Sequence, residues 1–374
     1  MKNVRTVVTV LAAAALLAAG SGLFACKKKE PETIKIGAIL PLTGDNAKYG
    51  IWIKEALELK AEEVNSAGGI NGKEVEIIYE DDQVNPKYAA AAMTKLAEVD
   101  KVPVVYGSWA SSSVLAQAPI AERTHTVVMA QAISPKIRDA GDYVFRCIPG
   151  ADYSLSELVP FAVKEGALKV AIIYVNNDYG LDQAEVFKTY LEEAGGEVVF
   201  EEGYDLETTD FRTVLLKLKA LDFDAVYLPG YTEVGLILRQ MQELGIECQR
   251  YSSDPFENED VLKVAGEAAE GVYFPSFFVA ETATGELKGF VNRYKAKYGR
   301  EPEGNAALAY NGISIVFEAL RRTGIKSENI KEELYKFLDF QAPLGNVSVD
   351  KYGDIRVPIY IKTVDNGKFV PVGK

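Results

Sequence analysis

Three consecutive hydroxyls, Ser111-Ser112-Ser113, stand just past the apolar run 102–106, with no acid, base or metal ligand beside them. A serine nucleophile needs an adjacent general base, so this run is unsuited to catalysis and suited to binding. Where a strand leads into a helix, Ser111 can cap that helix, and the free N–H groups at its positive end suit a carboxylate. A second strand end, Ala130-Gln131-Ala132-Ile133-Ser134-Pro135, brings another hydroxyl and backbone carbonyls to the same mouth. Further along lie Asn177-Asp178-Tyr179-Gly180, Tyr231 after Pro229-Gly230, and Ser252-Ser253-Asp254. Tyrosines make lids that are apolar in body and polar at the tip, and an enclosed Asp254 would be a counter-charge for an ammonium. Each residue alone reads as a loop or capping residue. Their convergence on one cleft is what favours a ligand.

The chemistry excluded is as informative. GxSxG, HExxH and CxxC are absent, as are the phosphate-cradling GxxxxGK[ST] and GxGxxG, and the single histidine, His125, reads as a surface or capping residue. No catalytic residue, metal or cofactor is expected. A net charge of −13 leaves no basic face for nucleic acid. Glu80-Asp81-Asp82 reads as a solvated strand end rather than a cation site, and Gly68-Gly69-Ile70-Asn71-Gly72-Lys73 as a turn.

Loops that converge need rigid elements behind them. From residue 34 short apolar runs alternate with amphipathic stretches: strands are expected at 34–40, 75–79, 102–106, 126–130, 170–174, 197–202, 225–228 and 272–274. Helices are expected at 49–65, 86–98, 111–122, 154–165, 181–194, 211–221, 233–244, 284–298 and 306–323. That alternation means an α/β chain with parallel sheets covered on both faces. The length of 374 residues fits two domains. The rhythm restarts after Arg146-Cys147-Ile148-Pro149-Gly150, and two helical patterns follow Phe274-Pro275 without enough strands for a third sheet. We therefore expect two doubly wound parallel-sheet lobes joined by a multi-strand hinge: 33–146 plus 276–344 as lobe 1, and 147–275 plus 345–374 as lobe 2, with strands at 345–349 and 357–363 completing the junction. A cleft between domains is a favoured small-ligand site.

Residues 1–25 have the outline of an export signal: Lys2 and Arg5, an apolar run 7–19, then small residues before Cys26. The apolar run is too short to span a membrane. Residues 26–32 would be a tether. Cys147 and Cys248 flank different elements and read as two separate thiols rather than a disulfide.

The chain resembles the solute-binding proteins of branched-chain amino acid ABC transporters, the Leu/Ile/Val-binding type of the type I periplasmic binding fold. The resemblance is carried by Ile36-Gly37-Ala38 with Pro41-Leu42-Thr43-Gly44, by Asn65-Ser66-Ala67-Gly68-Gly69-Ile70-Asn71-Gly72, and by Tyr79-Glu80-Asp81-Asp82 with Asn85-Pro86. Ser111-Ser112-Ser113, Asp178-Tyr179-Gly180 and the stretch from Ala265 to Gly271 add to it. It implies that Ser111, with Ser112 beside it, binds a carboxylate, that Ser134 touches both polar groups of an amino acid, and that the Ala132 carbonyl meets the ammonium. Asp254 would hold the counter-charge where the family often has Glu. Tyr179 and Tyr231 match lid positions; Tyr49 and Tyr310 match the side-chain pocket. Trp109 replaces a smaller apolar residue, Phe277-Phe278 add aromatic bulk, and the disulfide some members carry near the clamp is missing. Leu23-Phe24-Ala25-Cys26 resembles a lipobox. The resemblance thus implies a monomeric, non-enzymatic receptor in the periplasm or on the cell surface, lipid-anchored through Cys26, binding an amino acid and serving an ABC permease. A small carboxylate, amide or aromatic acid as ligand, or a role as a periplasmic ligand sensor, remains open.

Two or more acyl chains hold a protein on a membrane far more firmly than one. Native material should fractionate with membranes and incorporate labelled lipid, and Cys26→Ser should abolish the labelling; a wholly soluble native product rules the anchor out.

Overall fold

The computed structural model describes residues 33–373. The expected export signal, Cys26 and the tether lie outside the described residues. Strands β1 (Ile34–Leu40), β2 (Val75–Asp81), β3 (Val104–Tyr106), β4 (Val127–Ala130) and β5 (Val144–Arg146) form a parallel sheet in the order β2-β1-β3-β4-β5. Its crossovers are α1 (Ala47–Ser66), α2 (Pro86–Thr94) and α3 (Ser111–Thr124). The interior strand β1 is buried at every residue but Lys35. That is why it reads as a nearly unbroken apolar run rather than an alternating one.

A second sheet is built from β6 (Lys169–Val175), β7 (Glu197–Tyr204), β8 (Ala225–Leu228), β9 (Gln249–Ser252) and β10 (Val272–Ser276). Helices α4 (Ala151–Lys164), α5 (Asp178–Glu193), α6 (Arg212–Lys219), α7 (Val234–Glu243) and α8 (Glu259–Ala265) are interleaved with them. Then α9 (Gly285–Tyr298), α10 (Gly304–Thr323) and α11 (Ser327–Leu334) return to the first sheet: the Tyr298 hydroxyl donates to the Glu55 carbonyl at 3.1 Å, and the Ser327 hydroxyl to the Pro103 carbonyl at 3.0 Å. The chain ends in β11 (Phe340–Ala342), β12 (Gly345–Val347), β13 (Tyr360–Asp365) and β14 (Lys368–Pro371). The last two join the second sheet antiparallel to it, giving the order β14-β13-β10-β9-β8-β6-β7. No described helix is long and apolar enough to cross a membrane.

The ten expected strands and nine expected helices are present, with shifted ends. Four strands and two helices were not anticipated. β5 and β11 have three residues each, too few to show a period, while β9 (Gln-Arg-Tyr-Ser) is polar in composition and strand-like only because β8 and β10 flank it. α8 and α11 are short and highly charged. The tail also divides differently. Residues 345–347, assigned above to the second lobe, pair with 340–342, and the Val349 N–H donates to the Phe337 carbonyl at 2.9 Å; only β13 and β14 reach the second sheet. A tight hairpin closed at Gly345 (φ +117°) turns that strand back before it can cross.

The junction is pinned by Arg146, which is buried completely. Its Nε donates to Asp354 Oδ1 at 2.5 Å, its Nη2 pairs with Asp354 Oδ2, and its Nη1 donates to the Ser134 carbonyl at 3.0 Å. Its backbone bonds Gly353 and Ile355 at 2.9 and 3.0 Å. Arg138 reaches the same carboxylate at 2.8 Å. Burial pushes the Asp354 carboxyl up, but the two guanidiniums outweigh burial and hold it below the usual carboxylate range. Stability from this group is therefore complete above the ordinary carboxylate pKa and is lost as pH falls through the lowered one. Asp354→Asn, which strands a buried guanidinium, should lower stability by about 3–5 kcal/mol in urea unfolding at pH 7. It should also flatten the acid limb of the stability profile. A loss under about 1 kcal/mol would show that the pair is not what holds the junction.

Candidate functional site

The carboxyl ends of the two sheets face each other, and the loops leaving them meet. Tyr49 lies in the first turn of α1 and Tyr179 in the first turn of α5, each followed by glycine. Those glycines are required by close approach. A Cβ at Gly50 would lie 2.0 Å from the Pro41 carbonyl oxygen, and one at Gly180 would lie 1.9 Å from that of Val175. The helix starts thus press against the preceding strand ends and bring both tyrosines to the cleft. The Tyr49 hydroxyl donates across it to the Pro255 carbonyl at 2.7 Å.

The rings form one continuous chain, two stacked pairs joined by a tilted contact. Tyr49 lies on Trp109 with centroids 4.2 Å apart and planes 9° off parallel; Trp109 meets Tyr231 at 5.0 Å, and Tyr231 meets Tyr179 at 5.1 Å. Their polar tips are held too. Trp109 Nε1 donates to Asn305 Oδ1 at 3.1 Å, Asn177 donates to the Tyr231 hydroxyl at 3.1 Å, and the Tyr179 hydroxyl donates to Ser253 Oγ at 2.5 Å. Trp109, Tyr179, Tyr231, Gln131, Ile133, Ile148, Asp254 and Pro255 enclose a cavity of about 10 Å³, roughly the space of one water.

Asp254 is the charged residue on that wall. It is 8% exposed, and its Oδ1 has no hydrogen-bond partner. Burial pushes its carboxyl up to about 7; its own backbone N–H offsets part of the rise and nearby Glu257 adds to it. A buried acceptor without a donor costs roughly 1–3 kcal/mol, more when charged. An entering cation would repay that cost.

The clamp is assembled differently from expectation. Ala110, not Ser111, is the N-cap of α3, and it makes no side-chain cap. Ser111 is already inside the helix, and its Oγ accepts the Ser134 N–H at 3.3 Å. The extended backbone of Ala110 (φ −86°, ψ 131°) supplies the chain reversal that a capping serine would have supplied. Ser134 caps the short turn after β4 through Lys136 N at 3.3 Å, and its hydroxyl donates to Asp182 of α5. Ala132 is buried between Gln131 and Ile133; Ser112 is half-buried. Neither they nor Ser111 and Ser134 line the cavity in this arrangement.

Tyr310 does not belong to the site. It stacks on Phe290 at 4.3 Å, and its hydroxyl donates to Glu63 at 2.5 Å and accepts from Arg293 at 3.0 Å. Glu63 lies fourteen residues along α1 from Tyr49, about 21 Å away at the helical rise. The α10 residue that does reach the cleft is Asn305, in the first turn, where it joins Trp109 to Gln131: Gln131 Nε2 donates to Asn305 Oδ1 at 3.0 Å, and the Tyr106 hydroxyl to Gln131 Oε1 at 2.6 Å. Glu303-Gly304 was the signal. Glu303 accepts from the Ala306 and Asn305 N–H groups at 2.8 and 2.9 Å, so the helix begins at Gly304 and not at 306. Asp82, read above as solvated, is fully buried; Ser108 donates to it, as does the Val84 N–H at 3.2 Å. No cluster of three or more His, Cys, Asp or Glu suited to a metal occurs among the described residues.

A model of the periplasmic binding protein family matches residues 33–368. This chain belongs to that family. Relatives of this periplasmic binding protein include the leucine-, isoleucine-, valine-, threonine- and alanine-binding protein of Pseudomonas aeruginosa, 29% identical over 89% of this chain and 90% of that one. Among solved structures, a leucine binding protein from Thermotoga maritima superposes with a TM-score of 0.86 at 29% identity, covering 91% of this chain and 98% of that one. A branched-chain amino acid transporter substrate binding protein from Streptococcus pneumoniae, in complex with isoleucine, gives 0.84 at 31% identity, covering 91% of this chain and 100% of that one. A solute binding protein of an ABC transporter from Rhodopseudomonas palustris, in complex with 3,4-dihydroxybenzoic acid, gives 0.81 at 28% identity, covering 91% and 96%. The two-lobe architecture is that of the type I periplasmic binding fold.

Trp109 stands in the middle of the four rings and sets the space left beside Asp254. In a thermal-shift screen of amino acids and small carboxylates, a ligand at a hundred times its Kd adds about 2.7 kcal/mol. Trp109→Leu should reorder the responses in favour of larger side chains. An unchanged order with uniformly weaker responses would make Trp109 a packing residue only.

Proposed function

We propose that this protein is an extracytoplasmic receptor that binds an amino acid between its lobes and presents the closed form to the membrane permease of an ABC importer. It acts as a monomer, by binding rather than by turnover, and is held at the membrane through Cys26. The observation that carries the amino-acid reading is Asp254: a buried carboxylate whose Oδ1 lacks a donor, on the wall of an aromatic cavity between the lobes. An α-ammonium supplies both the donors and the charge. Tyr49, Trp109, Tyr179 and Tyr231 offer the apolar surround for a side chain, the α3 start with Ser111 and Ser112 is the region for the α-carboxylate, Ser134 touches both polar groups, and the Ala132 carbonyl accepts from the α-ammonium. Relatives and structural neighbours named for leucine, isoleucine and valine support a branched or otherwise apolar side chain. A ligand that touches both lobes drives closure, since it gains contacts only in the closed state.

A second reading has its own support. Four contiguous rings, and a structural neighbour in complex with 3,4-dihydroxybenzoic acid, suit an aromatic acid on the same clamp. Asp254 separates the two readings, because an acid without an ammonium leaves its carboxylate unpaired.

Removing one partner of a buried charge pair typically costs about 2–5 kcal/mol, or roughly thirty-fold to several thousand-fold in affinity. Calorimetry should show Asp254→Asn losing leucine affinity by that amount, while isocaproate, its deaminated analogue, binds the parent poorly and the variant better. Because the free carboxyl is held near 7, leucine affinity should weaken as pH falls below about 7, approaching tenfold per unit. Equal binding of leucine and isocaproate by the parent would exclude the ammonium and favour the acid reading.

A further inference from the structure

Asp182 is not among the residues expected at the clamp, yet it engages the clamp's hydroxyl. It lies on α5 in the second lobe, with its side chain 6% exposed. Oδ2 accepts from Ser134 Oγ of the first lobe, and Oδ1 lies 3.0 Å from Lys136 Nζ, which also reaches Asp178 Oδ1 at 3.4 Å. Ser134 in turn donates its N–H to Ser111 Oγ. The protein therefore brings a carboxylate of its own to the serine pair assigned to a ligand's carboxylate. A hydroxyl has one proton to donate. Ser134 can serve Asp182 or an incoming carboxylate, not both.

We propose that Asp182 is an internal competitor for the clamp. Together with Lys136 it latches the second lobe onto Ser134, and a ligand's carboxylate has to displace it. A charge-assisted O–H···O⁻ bond is among the stronger hydrogen bonds, and its neighbours strengthen the case. Tyr49 to Pro255 and Lys48 to Asp260, at 2.7 and 3.0 Å, also join the lobes, so the latch acts with contacts that need nothing between them. Lys136, half-exposed at the rim, is placed to keep the displaced Asp182 neutralised and so limits its repulsion of the arriving anion. The consequence is selective. A latched fraction lowers apparent affinity by the fraction of molecules competent to bind, so only ligands with enough other contacts outcompete Asp182.

The affinity arm of the test rests on the amino-acid reading; the closure arm does not. Small-angle scattering on protein freed of amino acids should give a larger radius of gyration for Asp182→Ala and for Lys136→Ala than for the parent. Calorimetry with L-isoleucine should show Asp182→Ala binding at least about threefold more tightly than the parent. Circular dichroism melting checks the fold, and Lys136→Ala, on the other lobe, supplies the scattering comparison should Asp182→Ala fail to fold. An unchanged radius of gyration in the folded variants, or weaker isoleucine binding by Asp182→Ala, overturns the proposal. Should neither protein bind isoleucine, the amino-acid reading falls and the scattering comparison alone decides the latch.

Discussion

A guanidinium cut off from water has to be matched by acceptors, and that of Arg146 is matched by two separate parts of the chain. It ends the first sheet, grips Asp354 in the tail, and holds the Ser134 carbonyl in the loop that carries the clamp. The result is that the clamp loop, the last strand of one sheet and the segment leading into the other sheet cannot shift independently. Hinge motion requires such a rigid reference, since lobes that rotate about floppy connections would not return the same side chains to the same cleft. The burial that makes the pair costly to form also makes it costly to break.

The cleft combines two kinds of force with different ranges of tolerance. Tyr49, Trp109, Tyr231 and Tyr179 meet across the lobes through ring contacts of 4.2 to 5.1 Å, a surface that favours closure without much regard to what lies nearby. Asp254 and Ser134 are directional. Each asks for a particular partner in a particular place, and a mispaired carboxylate in that low-dielectric setting is expensive.

Much of this was legible along the chain because it rests on local rules. Tyr179 and Tyr231 stand at strand ends as lid residues, although the close approach of Gly50 and Gly180 to the Pro41 and Val175 carbonyls appears only in the folded chain. Asp254 stands out as an acid at a strand end that would become a counter-charge once enclosed. Other positions were misread for equally physical reasons. Tyr310 and Asn305 share one helix, and which of them meets the cleft depends on where that helix starts and on the fourteen residues of α1 between Tyr49 and Glu63. Ser111 looks like a cap because serine usually is one, yet an extended Ala110 already turns the chain.

Composition, motif order and strand–helix alternation by themselves determined the α/β class, the pair of sheets and the strand ends where the cleft would lie, because parallel crossovers leave few other arrangements. What only the tertiary structure decided were contacts between residues distant in sequence: Arg146 with Asp354, Gln131 with Asn305, Ser134 with Asp182. Such pairs form where two lobes and a returning tail are packed together. No local periodicity records them, because what selects them is the cost of burying a polar group unpaired, which arises only where groups distant in sequence are brought together by folding.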